Sequence, residues 1–256
     1  MTTTSSNSHS VHTSLPVDKE EEQHQAAIRD FRRVLNEYTV KAYCGREYVL
    51  VTRLTTWLKS QCPSGDYTQV DRLLAAAYRN RTVPGLPINK DDLCDLNEGC
   101  LVLLSLLLDL GRGDLIHKLQ GREKFDKKFP IDLTQLRPIF REMGMPDSDR
   151  IAEEFDYLQW KYFPAILDGQ KNRQYPQNRI LPFTKRVPIN EKGGTAQLFQ
   201  IEVLEEFVGP KLRHKMKQFR YDVIGEDDDD RLGPVSDPRI SDSTLCCSCE
   251  HKLGTC

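Results

Sequence analysis

The sequence predicts a mainly α protein, with a helical domain over residues 18–168, a short β fragment after it, and disordered ends. Three observations carry this reading. Apolar residues recur at helical spacing through the first part of the chain. Acidic residues stand ahead of several of those runs, with Glu or Gln three positions later, the pattern of a helix N-terminus. After residue 179 the pattern changes, because Pro182 and Pro188 remove helical donors and bias the residues before them toward extended backbone.

Residues 1–17 form a Ser/Thr/His-rich leader with little to bury, and disorder is expected there. Asp18 and Glu21 form a capping pattern ahead of Ile28, Phe31, Leu35 and Tyr38, which line one helical face. The stretch Tyr48 to Leu58 is apolar with β-branched residues, and helix is favoured over strand. A second pattern, Asp66 with Gln69, precedes Val70, Leu73, Leu74 and Ala77. Thr82 to Asn89 holds Pro84, Gly85 and Pro87 and reads as a loop. A third pattern, Asp95 with Glu98, opens a leucine-rich helix that stops at Gly111 and Gly113. That helix is apolar on nearly every side and belongs in the centre of a bundle. Asp132 and Gln135 head a short helix carrying Leu136, Ile139 and Phe140 and ending near Gly144. Asp147 heads another with Ile151, Phe155, Leu158 and Tyr162 on one face, widened by Trp160, Phe163, Ile166 and Leu167.

Residues 169–179 read as a polar linker. Ile180 to Phe183 and Val187 to Ile189 are short extended segments, and Leu198 to Leu204 reads as a strand, within a fragment spanning 180–221. Residues 222–256 hold the acidic run Glu226 to Asp230 and a Ser/Pro/Cys tail, expected to be disordered.

Bulk properties exclude several classes. The chain has 256 residues and a formal net charge of -2. Its pI is about 6.3 and its mean hydropathy -0.56. A phosphate-backbone binder usually carries a basic excess, so nucleic acid is disfavoured as a partner. The longest apolar run, Leu101 to Leu108, falls short of the roughly 20 residues that cross a bilayer, so no membrane role is expected. The start of the chain has no basic segment followed by an apolar one, hence no secretory signal. Eight cysteines without such a signal point to reduced thiols in the cytoplasm, or in the nucleus.

The order Ile180-Leu181-Pro182-Phe183, then Ile189-Asn190-Glu191-Lys192-Gly193-Gly194-Thr195-Ala196-Gln197-Leu198-Phe199-Gln200-Ile201, and on to Phe207-Val208-Gly209-Pro210, resembles the entrance of a protein kinase. More narrowly, it resembles fungal serine/threonine-kinase-like proteins with a helical region ahead of the catalytic domain. In such proteins a strand, a glycine-rich turn and a second strand fold over ATP, and glycine lets backbone N–H groups approach the phosphates. The resemblance implies Gly193 at the middle glycine position, Gly194 beside it, Ala196 at the last, and Leu198 above the adenine ring. Asn190 stands at the first glycine position and Ala196 replaces the last, so the cradle is degenerate. ATP is the ligand this loop would take, and weakly; no cofactor is otherwise assigned.

Phosphoryl transfer needs a strand lysine, a catalytic aspartate, an asparagine and a metal-binding aspartate. The chain contains no V-A-I-K-like strand, H-R-D, D-F-G or A-P-E, and His214-Lys215 does not begin such a pattern. No catalytic residue and no metal ligand is therefore assigned. The reading is a truncated, catalytically inactive kinase-like protein that binds an unidentified protein partner through its helical domain. One alternative is a full serine/threonine kinase cut short by the gene model, with the tail from about Val235 a translated intron or shifted frame. Another is a helical adaptor whose kinase resemblance is accidental.

Rival groupings are weaker. Cys246, Cys247, Cys249, His251 and Cys256 crowd the tail without a second ligand pair for zinc. His117 with Cys94 or Cys100 would suggest a cysteine nucleophile, but no motif supports it and the cysteines read as small core residues, with Trp57 and Trp160 as core anchors. Lys211, Arg213, His214, Lys215, Lys217 and Arg220 read as a solvated basic helix face.

Overall fold

The structure, a computed structural model of the chain, describes residues 17–63, 65, 67–80, 85–95, 98–170, 173–188, 199–216 and 244–247. It is mainly helical with two small antiparallel sheets. The glycine-rich loop, the acidic run and most of the leader and tail lie outside the described residues.

Helix α1 (Val17–Glu37) turns Phe31 and Leu35 fully inward, with Ile28 and Tyr38 packed at the margin, as their spacing requires. Asp18 falls inside this helix and not ahead of it. The Tyr48–Leu58 stretch divides. Its first residues complete a hairpin of β1 (Thr39–Lys41) and β2 (Glu47–Val49), turned through Gly45 at φ +85°, and α2 (Val51–Lys59) follows.

Helix α3 (Gln69–Ala77) is capped by Thr68 and not by Asp66, which lies outside the described residues. Thr68 Oγ1 accepts from the Asp71 N–H at 3.4 Å while Asp71 Oδ2 accepts from the Thr68 N–H at 2.8 Å. The motif is a capping box displaced from the expected position, since Gln69 is already the first helical residue. A single turn, α4 (Lys90–Leu93), follows residues 85–89, which are neither helix nor strand, while Thr82 to Pro84 lie outside the described residues.

The leucine-rich α5 (Leu101–Asp109) sits at the centre, with Leu103, Leu104, Leu106 and Leu107 fully buried. The expected cap is corrected here as well. Asp95 accepts from the Glu98 N–H at 2.7 Å within a local turn, and the helix begins only at Leu101. Its free N–H groups are met from afar, because Asp126 accepts from Val102 at 3.0 Å and from Leu103 at 2.8 Å. At the other end Gly111 takes φ +72°, and Arg112 N–H donates to the Leu107 carbonyl at 2.7 Å, closing a Schellman turn.

A short α6 (Ile116–Gln120) leads to α7 (Leu133–Glu142) and α8 (Ser148–Tyr162). Leu136, Phe140, Ile151, Phe155 and Tyr162 enter the main core. Trp160 does not widen that face; it turns into a second core.

This second core joins the two parts of the chain. Ala42, Tyr48 and Leu50 of the hairpin region and Trp160 of α8 pack with Ile180, Val203, Phe207 and Val208. The strands concerned are β3 (Phe183–Pro188) and β4 (Phe199–Val203), antiparallel, with Pro188 opposite Phe199. The two extended segments expected around Pro182 and Pro188 thus merge into one strand. A helix covers residues 210–216. One part of the tail departs from expectation: Thr244–Cys247 forms β5, antiparallel to β4 with Leu245 opposite Ile201. Pairing satisfies the backbone groups that β4 would otherwise leave at an open edge.

Candidate functional site

The residues expected to touch nucleotide, Gly193, Gly194, Ala196 and Leu198, all lie between β3 and β4 and outside the described residues. The strands flanking them are defined. Lys185 of β3 pairs with Glu202 of β4 at 2.8 Å on the solvent side, and Arg186 lies 3.7 Å from the centre of the Phe199 ring. Lys185 is 59% exposed in its side chain, so it is engaged at the surface and not turned into an enclosed site.

A set of polar contacts pins these strands to the helices. Glu206, just after β4, accepts from the Thr52 N–H at 3.0 Å and so caps α2, whose own N-cap residue Leu50 makes no side-chain bond. Arg46 of the hairpin donates to the carbonyls of Asn178 and Arg179 at 2.8 and 2.5 Å. Tyr43 N–H donates to the Phe183 carbonyl at 2.8 Å. Tyr48 meets Phe207 edge to face at 5.2 Å between centroids. Burial, reinforced by Glu206, pushes the Tyr48 phenol up to about 12. Arg179 sits 5.9 Å above Trp160, and burial draws its guanidinium below the usual arginine range. The Trp160 Nε1–H is buried with no partner among the described residues.

The rival groupings acquire definite roles. His117 Nδ1 lies 2.8 Å from the Tyr78 hydroxyl and 2.9 Å from the Asp114 carbonyl. Burial pushes the Cys100 thiol up to about 12, helped by Asp126 and Glu98, and raises Cys94 as well. Neither is set up as a thiolate nucleophile. Among the described residues no three His, Cys, Asp or Glu side chains converge to hold a metal ion. Of the basic run, Arg213 is used structurally, donating to the carbonyls of Glu205 at 2.8 Å and Val208 at 3.2 Å. Lys211, His214 and Lys215 border an open groove with Asp168, Gly169 and Gln170. Lys217 and Arg220 lie outside the described residues.

One feature was missed in the sequence. Arg29 and Arg32 of α1 face Arg79, just beyond α3, and Arg112, in the turn after α5, across a groove of about 760 Å³. The spacing of Arg29 and Arg32 is a helical i, i+3 signal, but Arg79 and Arg112 join them only through the packing of α1 against α3 and of α5 beside it.

No protein-family model, curated protein or solved structure matches this chain. Among the described residues no helix is long and apolar enough to cross a membrane.

Proposed function

We propose that the chain is a protein-kinase-like module without phosphotransfer activity that binds a protein partner through its helical part. The observation that carries this reading is the second core, in which Tyr48 and Trp160 from the helical part pack with Val203 and Phe207 from the kinase-like part. A strand pair fused in this way to a helical body supports use of the two as one binding unit. The lack of a V-A-I-K-like strand, H-R-D or D-F-G in the sequence supports its inactivity. Phosphotransfer from ATP and magnesium by the full chain tests it directly. No turnover above background is expected, and turnover abolished by Ala196→Glu would overturn the reading.

A second reading is the leading part of a serine/threonine kinase that binds ATP and phosphorylates protein. The antiparallel pairing of β3 with β4, which Gly193 and Gly194 separate in sequence, favours it, because a strand, glycine-rich segment and strand open a kinase small lobe. Calorimetry separates the two: saturable ATP binding lost in Ala196→Glu supports this second reading.

A further inference from the structure

The groove walled by α1, the end of α3 and the turn after α5 is basic in a chain that is acidic overall. Its lining includes Arg29, Arg32, Arg79 and Arg112 against the single carboxylate of Asp114, while the whole chain carries a formal charge of -2. We propose that this groove docks an acidic peptide segment of a partner protein, a reading that deepens the partner-binding function above and rests on it.

Two of the four arginines are unengaged among the described residues, and the other two are held in exposed pairs, Arg112 also donating to Met145 Sδ at 3.3 Å. Arg29 and Arg32 stand exposed, one helical turn apart, and neither makes a hydrogen bond or ion pair to another described residue. Arg79 pairs with Glu21 at 2.9 Å and Arg112 lies 3.7 Å from Asp114, but each pair keeps its side chains between 37% and 48% exposed. Ion pairs that exposed are held weakly and exchange readily for an incoming carboxylate. An arginine offers two parallel N–H donors to a carboxylate, so a cluster of them selects acidic motifs.

The lining also includes the partly exposed apolar side chains of Ile28 and Ala77, with Leu108 and Ala76 buried. Gly113 is also in the lining, and a Cβ there would meet Leu108 at 2.7 Å and Ala77 at 3.0 Å. Ile28 and Ala77 beside the arginines complement a peptide in which a few apolar side chains stand among acidic ones. The groove's volume of about 760 Å³ suits a few side chains and not a duplex, and the overall negative charge disfavours a nucleic-acid backbone.

The test is fluorescence anisotropy of the full chain with a labelled peptide alternating glutamate and leucine, at low and high salt. Saturable, salt-weakened binding is expected, falling about tenfold or more in the double variant Arg29→Glu/Arg32→Glu. Circular dichroism should show that variant folded, since both side chains point to solvent. The control is Lys41→Glu/Arg53→Glu, exposed residues that do not line the groove, and it should bind as the parent does. Equal loss in both pairs, or equal binding of a peptide with glutamine for glutamate, would overturn the proposal. Binding seen only after Glu226 to Asp230 are neutralised would also overturn it, because the chain's own acidic run would then be the occupant. Absent peptide binding with absent phosphotransfer would defeat the groove and leave the inactive-kinase reading standing; phosphotransfer would defeat that reading whatever the groove binds.

Discussion

Gln159 and Ile131 are joined by a matched pair of hydrogen bonds deep in the main core. The Ile131 N–H donates to Gln159 Oε1 at 3.0 Å, and Gln159 Nε2 donates to the Ile131 carbonyl at 2.8 Å. Gln159 is wholly buried, so the side chain of α8 satisfies both backbone polar groups of Ile131 where water cannot reach. Replacing it with Leu, similar in size, leaves that N–H and C=O unpaired. Gln159→Leu is expected to lose about 2–4 kcal/mol of stability in urea denaturation; an unchanged midpoint would show that the pair contributes little.

Asp126 makes a comparable long-range contact at the head of α5. Its carboxyl is raised to about 6, first by burial, against backbone hydrogen bonds from α5 that favour the ionised form. A group raised above its unfolded value of 3.8 adds stability that is fully present below that value and is lost as pH rises through about 6. The stability of the parent relative to Asp126→Asn should therefore shrink between about pH 4 and pH 6 and level off above. A difference that grows with pH across that window would refute this account of the cap.

Glu206 performs the same service for α2. Glu206→Ala removes the acceptor facing Thr52 and should cost about 1 kcal/mol, with faster hydrogen exchange at the Thr52 amide. Glu206→Gln, which keeps an acceptor, should lose less. Identical exchange at Thr52 in all three proteins would mean that the cap is idle.

These contacts explain what the sequence could and could not disclose. Helix faces set by spacing were legible: Phe31, Leu35, Phe155 and Tyr162 are buried as their periodicity requires. The strand at Phe199–Val203 and the end of α5 at Gly111 were legible too, because β-branched runs and glycine act locally. Caps supplied across the fold were not, since Asp126 serves Val102 and Glu206 serves Thr52 with no pattern near either helix start. The second core was hidden for a similar reason. Trp160 shares a helix with main-core residues, and only its angular position sends it toward Phe207. Within the candidate site, Gly193 and Gly194 stand out as a motif but lie outside the described residues, whereas the arginine groove required three elements to be packed together.

Phe207 is a large, fully buried side chain of the core that unites the two parts. It is 1% exposed and contacts Tyr48 edge to face. Phe207→Ala should cost about 3–5 kcal/mol and expose Tyr48 to quenchers. A loss near zero would mean that the strand pair rests on the helices without depending on them.

The most direct test of that union is amide hydrogen exchange of the full chain, read at Phe199–Val203 and at the core of α5 in parent and Phe207→Ala. The account expects strong protection of β4 in the parent, lost in the variant together with protection of the β1–β2 hairpin. Rapid exchange across β4 in the parent, while α5 stays protected, would contradict a single unit built from the helices and the β3–β4 strand pair.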